Sequence, residues 1–154
     1  MSEKGTIVYG IDPLVILDHY EIDYLHSYAE DSLFFIGLTK GKLLGSRCTP
    51  CGYTYATPRA HCMECGAPTM WHELPLTGRT HTFTTCYYGG ELFLKETPFT
   101  LILVEFDGAD TLFLSRLKGI KPDAVCIGLP VVARFAKTPS LKVTDVWFEP
   151  ADKT

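Results

Sequence analysis

Two Cys-x-x-Cys pairs, Cys48-Thr-Pro-Cys51 and Cys62-Met-Glu-Cys65, stand ten residues apart, and a Gly follows the second Cys of each. Four thiolates complete the tetrahedral shell of a structural zinc and leave no coordination position for water or substrate. A Cys-x-x-Cys knuckle turns tightly, so the residue after it needs a positive φ that Gly reaches without steric cost. Gly52 and Gly66 hold those positions. The same turn aims backbone N–H groups at the sulfurs and tunes the site from outside its ligand shell. The competing arrangement is two disulfides inside the cluster. It fits poorly with a chain that begins without a signal peptide and is long enough to bury a core unaided.

The 154 residues suit one domain, or one domain with a small appendage. A net charge of −4 gives no general pull towards nucleic acid, because phosphate contacts supply most non-specific affinity. No apolar run reaches the roughly 18 residues of a membrane span. The expected compartment is the reducing cytoplasm. Cys86 and Cys126 lie outside the cluster in apolar surroundings, and both are expected to be buried core thiols.

Along the chain, residues 1–10 read as polar and frayed, with a turn or helix start at Asp12-Pro13. Ile22, Leu25, Ala29, Leu33 and Ile36 recur at three- and four-residue steps, which predicts a helix from about Tyr20 to Thr39 that stops at Gly41. Tyr24, Tyr28 and Phe35 widen its apolar face beyond what one packing surface needs. It either docks on the body of this chain, the expectation taken here, or in part on another protein. Lys42 to Arg47, Tyr53 to Thr57 and Met70 to Leu74 read as the short strands of a metal ribbon. So small a unit cannot bury enough apolar surface to fold alone, so the metal must supply about 10–16 kcal/mol, as in zinc-finger peptides.

From Leu76 onward the pattern is β. Strands are expected over Gly78 to Tyr88, Phe99 to Phe106, Thr111 to Leu117, Val131 to Ala136 and Leu141 to Phe148. Asp107-Gly108 marks a hairpin and Lys121 to Cys126 a short helical turn. Phe99 to Phe106 is apolar on both faces and reads as a central strand covered on both sides. The fold class is therefore mainly β: an N-terminal helical segment (1–41), a zinc ribbon (42–75) and a five-stranded OB-fold barrel (76–154). Residues 89–98 form a loop with Leu92, Phe93 and Leu94 at its centre, either a lid on the barrel or a partner contact.

Gly41-Lys-Leu-Leu-Gly-Ser-Arg-Cys48, Thr57-Pro-Arg59, Gly78-Arg-Thr-His-Thr-Phe-Thr85 and Ile127-Gly-Leu-Pro-Val131 complete a wider pattern. Over about residues 29–149 the chain resembles the small proteins that join a rubredoxin-like zinc ribbon to an OB-fold and associate with thiolase-type enzymes and acyl-CoA. Residues 1–24 lie outside the resemblance. It implies a non-catalytic subunit beside a thiolase-like catalytic subunit, as in two-subunit thiolases such as benzoylsuccinyl-CoA thiolase. It implies one structural zinc on Cys48, Cys51, Cys62 and Cys65, iron in an electron-transfer role being the alternative. Met63 stands where that family usually has Pro, which leaves ligation untouched. The resemblance carries no catalytic residue.

Coenzyme A or acyl-CoA is the implied ligand, its phosphates being met by Arg59, Arg79, Arg116 and Lys118. Phe83, Tyr87, Tyr88, Phe93 and Phe99 are candidates for an apolar slot. The competing class is a free-standing acyl-CoA or single-stranded nucleic-acid module, a common use of both folds. Catalysis by this chain alone would need Cys86 or Cys126 with His81 or His72. Five positions on a strand put His81 and Cys86 on opposite faces, which argues against it.

Overall fold

The structure, a computed structural model, describes residues 6–9, 15–91 and 93–151. Its first element is a hairpin of β1 (Thr6–Tyr9) with β2 (Val15–Leu17), paired antiparallel. Residues 6–9 are thus a strand rather than a frayed tail, in keeping with the β-branched Thr6, Ile7 and Val8. The expected turn at Asp12-Pro13 lies outside the described residues, as does Leu92.

The long N-terminal helix is corrected. Residues 18–28 have no regular structure, a 3-10 turn covers Ala29–Asp31, and the helix proper, α1, is Ser32–Thr39. It stops before Lys40-Gly41, as expected. The buried face of α1 is Phe34, Phe35 and Leu38, which shares with the predicted face only Phe35 at its margin. Leu33 and Ile36 on the expected face are exposed, as are Ile22 and Leu25 upstream. A helix of that length is stabilised mainly by covering its apolar stripe. Among the described residues none buries the predicted stripe.

The ribbon is a three-stranded antiparallel sheet. β3 (Leu44–Cys48) lies between β4 (Thr54–Tyr55) and β5 (Thr69–Glu73). The barrel follows as β6 (Thr77–Cys86), β7 (Phe99–Glu105), β8 (Phe113–Leu117), β9 (Pro130–Phe135) and β10 (Val146–Pro150). It closes in the order β10-β8-β7-β6-β9, with β8 and β10 parallel and the other pairs antiparallel. Such closure of five Greek-key strands is the OB-fold.

Two strand expectations change. On β7, Thr100, Ile102 and Val104 are buried inside the barrel, while Phe99, Leu101 and Leu103 are only half-buried on the outside. The last strand begins at Val146 rather than Leu141. Leu141 takes a φ of 58°, and a 3-10 turn at Val143–Asp145 follows.

Ribbon, helix and barrel share one core. Phe34 and Leu38 of α1, Leu43 and Ala56 of the ribbon region, and Leu74 pack in a single cluster with Phe106, Phe113 and Phe148. The ribbon is also hydrogen-bonded to the barrel. Thr54 N–H donates to Asp110 Oδ2 at 2.7 Å, Asp110 N–H donates back to Thr54 O at 2.8 Å, and Ala56 N–H donates to Thr111 Oγ1 at 2.9 Å. The turn between β7 and β8 is therefore clamped to β4. Among the described residues no helix is long and apolar enough to cross a membrane.

Candidate functional site

The two knuckles repeat one backbone design. Gly52 N–H donates to Cys48 O and Gly66 N–H to Cys62 O, each at 2.9 Å, while Cys48 and Cys62 donate their own N–H to Tyr53 O and Ala67 O. Gly52 and Gly66 take φ values of 79° and 74°, the left-handed turn expected of the residue after each pair. Cys48 and Cys62 are buried; Cys51 and Cys65 face solvent.

All four sulfurs lie within 4.8 Å of one another, with Cys48–Cys65 at 3.4 Å and Cys51–Cys62 at 3.6 Å. A zinc with sulfur ligands at about 2.3 Å requires tetrahedron edges of about 3.8 Å, inside this range. The donor set fits a divalent metal electrostatically as well. The Tyr55 hydroxyl, 3.4 Å from Cys62 Sγ, pulls that thiol down to about 6 against the effect of burial, and the Cys65 and Glu64 amides assist. Cys48 goes the other way. The Cys51 amide favours its thiolate, but burial and proton sharing with Cys51, Cys65 and Cys62 push it up to about 12. Four crowded sulfurs cannot all ionise unless a cation sits among them. Cys48, Cys51, Cys62 and Cys65 thus form a structural zinc site. Among the described residues it is the single group of three or more His, Cys, Asp or Glu side chains that could hold a metal.

Tyr55 was not anticipated as part of the site. Its hydroxyl accepts the Met63 N–H at 2.7 Å and so links β4 to the second knuckle. The sequence signal for it is one of the two tyrosines in the β-rich Tyr53 to Thr57 stretch, which does not reveal the contact.

A cleft of about 750 Å³ lies on the outer side of β7 and β8, between the 87–98 loop and the 136–145 loop. This is the face on which OB-folds generally take ligands. Of the four candidate cations, Arg116 and Lys118 line it together. Arg116 is ion-paired with Glu96 and lies 4.5 Å from the Phe99 ring centre. Lys118 Nζ lies 4.2 Å from the centre of the Trp147 ring. Arg59 lines a different depression, between α1 and the ribbon, with its guanidinium 5.8 Å from the Tyr55 ring. Arg79 is exposed on β6 and lines neither.

Of the candidate aromatic residues, Phe93 and Phe99 line the cleft, with ring centres 6.0 Å apart, while Phe83, Tyr87 and Tyr88 do not. Phe93 thus packs against the barrel at Phe99, while Leu94 beside it is exposed. Glu96 and Trp147 were missed. Strand alternation does place Trp147 outside, because Val146 and Phe148 point inward.

The expectation that Cys86 and Cys126 are core thiols is corrected. Cys126 is exposed and Cys86 half-buried. Val125 takes the buried position in its segment, and the loop that follows turns Cys126 and Ile127 outward. His81 sits at the bulge of β6 with Nδ1 3.3 Å from Glu105 Oε2 on an exposed edge.

Fold and site define a class, a four-cysteine zinc ribbon joined to an OB barrel and sharing its core. The ChsH2 rubredoxin-like zinc ribbon domain matches residues 37–70, and the ChsH2 C-terminal OB-fold domain matches residues 71–136 without a gap. The chain thus carries both ChsH2-type domains, which together span residues 37–136. A DUF35 domain-containing scaffold protein of Methanocaldococcus jannaschii is 28% identical over 97 residues, 62% of this chain and 68% of that one. Among solved structures, the Ltp2-ChsH2(DUF35) aldolase contains a chain that superposes with a TM-score of 0.69 at 25% identity. The overlap covers 84% of this chain and 100% of that one. A DUF35-family protein of unknown function from Sulfolobus solfataricus shares the fold, with a TM-score of 0.58 at 21% identity over 77% of this chain and 82% of that one.

Proposed function

We propose that this chain is the non-catalytic subunit of a thiolase-type acyl-CoA enzyme. It docks on a catalytic subunit through surfaces held in place by the zinc ribbon, and its barrel borders the coenzyme A channel. The observation that carries the reading is similarity, over 84% of this chain, to the whole of one chain of the Ltp2-ChsH2(DUF35) aldolase, an enzyme named for two components. The zinc supports an accessory role, since four thiolate ligands leave no position for a reacting group. The Arg116/Lys118 cleft supports the ligand. Its aromatic walls and paired cations suit a nucleotide carrying few phosphates better than a polyanion, in a chain whose net charge is −4. Arg59 and Arg79 are proposed as secondary phosphate contacts at the channel's margin.

A second reading is favoured by that neighbour's being an aldolase: the partner cleaves a carbon–carbon bond by aldol rather than thiolytic chemistry. One experiment separates them. The tagged full-length chain is purified from its native host and the co-purifying subunit is identified and assayed. A thiolase-type subunit active on acyl-CoA supports the proposal, aldol cleavage supports the second reading, and recovery of the chain without any catalytic subunit overturns both.

A further inference from the structure

Residues 5–39 contain six of the chain's 18 acidic residues and none of its 14 Lys and Arg. The chain's negative surplus therefore sits on the segment that also carries, among the described residues, an exposed apolar stretch. Tyr20, Ile22, Tyr24 and Leu25 are each at least 64% exposed, in a run without regular structure. Leu33 and Ile36 continue it on the outer face of α1 at 48% and 42%. Yet the spacing of these residues is helical. At about 100° per residue, Ile22, Leu25, Ala29, Leu33 and Ile36 fall within roughly 80° of arc, with Glu21 flanking one side and Asp23 and Glu30 the other.

The two halves of this pattern are separated at one residue. Tyr28 and Asp31 both have right-handed helical dihedrals, whereas Ala29 between them takes a φ of 47°. Left-handed Ala is disfavoured, and returning it to the right-handed region lets the helix run on towards the N-terminus. Tyr28 already stacks on Phe35 of α1, ring centres 3.9 Å apart. It would keep that side of the extended helix against the body of the chain.

We propose that residues 18–31 are a docking arm that turns helical on binding, so that Ile22, Leu25, Leu33 and Ile36 form one apolar ridge. The occupant of the other side is a trough with a Lys/Arg rim on the catalytic subunit. This rests on the reading that such a subunit exists. The acidic flanks select the occupant: an anionic lipid surface would repel them, and so would the same arm on a second copy. Helical periodicity in a segment left uncovered by its own chain marks a segment that folds on a partner.

The test uses the full chain and the co-purified catalytic subunit. Backbone amides of residues 18–31 should exchange rapidly in the free chain and at least tenfold more slowly in the complex. Ile22→Asp with Leu25→Asp should weaken the complex about a hundredfold, while the free variant unfolds at the same temperature, since both side chains are exposed. Association should slow at raised salt. A complex that forms with the arm unprotected, or that tolerates the double substitution, overturns the arm and leaves the accessory-subunit reading standing. Arm-dependent self-association or binding to anionic vesicles likewise overturns it. Absence of any complex removes both.

Discussion

Asp145 closes the turn before β10 at 5% exposure, where Ser140 donates its N–H at 2.8 Å and its hydroxyl at 2.7 Å and Lys142 adds its N–H at 3.2 Å. Burial alone would raise this carboxyl, but the donated bonds win and hold it below its ordinary value of 3.8. A depressed carboxylate adds stability that is complete well above 3.8 and disappears as the pH falls through its folded value. Asp145→Ala strands these donors and should cost about 1–3 kcal/mol near neutrality. In thermal melts the gap to the parent should narrow as pH drops below 3.8, and a gap constant with pH would refute this account. At the metal, Cys65→Ser should abolish stoichiometric zinc. The ribbon's own cluster is only Cys48, Tyr55 and Cys62, with Tyr53 and Ala67 beside it, too little to hold the knuckles without metal. Zinc analysis should read well under one per chain while barrel amides at Ile102 and Val104 remain protected. Retention of one zinc per chain would contradict the four-ligand assignment.

The clamp between β4 and the β7–β8 turn belongs to the scale of elements. Thr54 is buried, so removing the Asp110 carboxylate leaves its N–H without a partner and should cost about 1–3 kcal/mol. Asp110→Ala should loosen the ribbon against the barrel without releasing zinc, seen as faster amide exchange at Thr54 and Ala56 with unchanged zinc content. Loss of zinc in that variant would mean that the barrel, not the thiols, organises the knuckles. The knuckles were legible from sequence because their spacing and glycines act within a few residues. The five strands were legible as short β-rich runs bounded by turn residues, but which face of β7 lies inside was not, because both of its faces are apolar in sequence. Nor was the start of β10. Leu141 and Val143 look like strand residues, but the Asp145 carboxylate gathers the Ser140 and Lys142 amides into a turn. Cys126 misled for a similar reason: apolar neighbours in a turn say little about which of them points inward. The helix over residues 20–39 failed most instructively. Its period is real, but among the described residues nothing buries Ile22, Leu25, Leu33 and Ile36, and a periodic face without cover does not hold a helix on its own.

At the scale of the whole molecule, the four thiolates of the zinc site leave no position for a reacting group, and the cations of the barrel cleft are already engaged. Arg116 is engaged by Glu96 and two aromatic rings, and Lys118 by Trp147. An incoming phosphate must therefore displace a carboxylate that costs nothing to keep, which caps the affinity of the isolated chain. Docking changes this if the catalytic subunit supplies the rest of the channel, because a ligand already held at one end meets the cleft at high effective concentration. Acyl-CoA should then bind weakly to the free chain and at least tenfold more tightly to the complex. Glu96→Gln should strengthen binding to the free chain by freeing Arg116, and Lys118→Ala should weaken binding to the complex. Calorimetry on the free chain, the complex and both variants reads all of these. Tight binding of single-stranded DNA to the free chain, with no response to acyl-CoA in either state, would assign the cleft to nucleic acid and overturn its place in a coenzyme A channel.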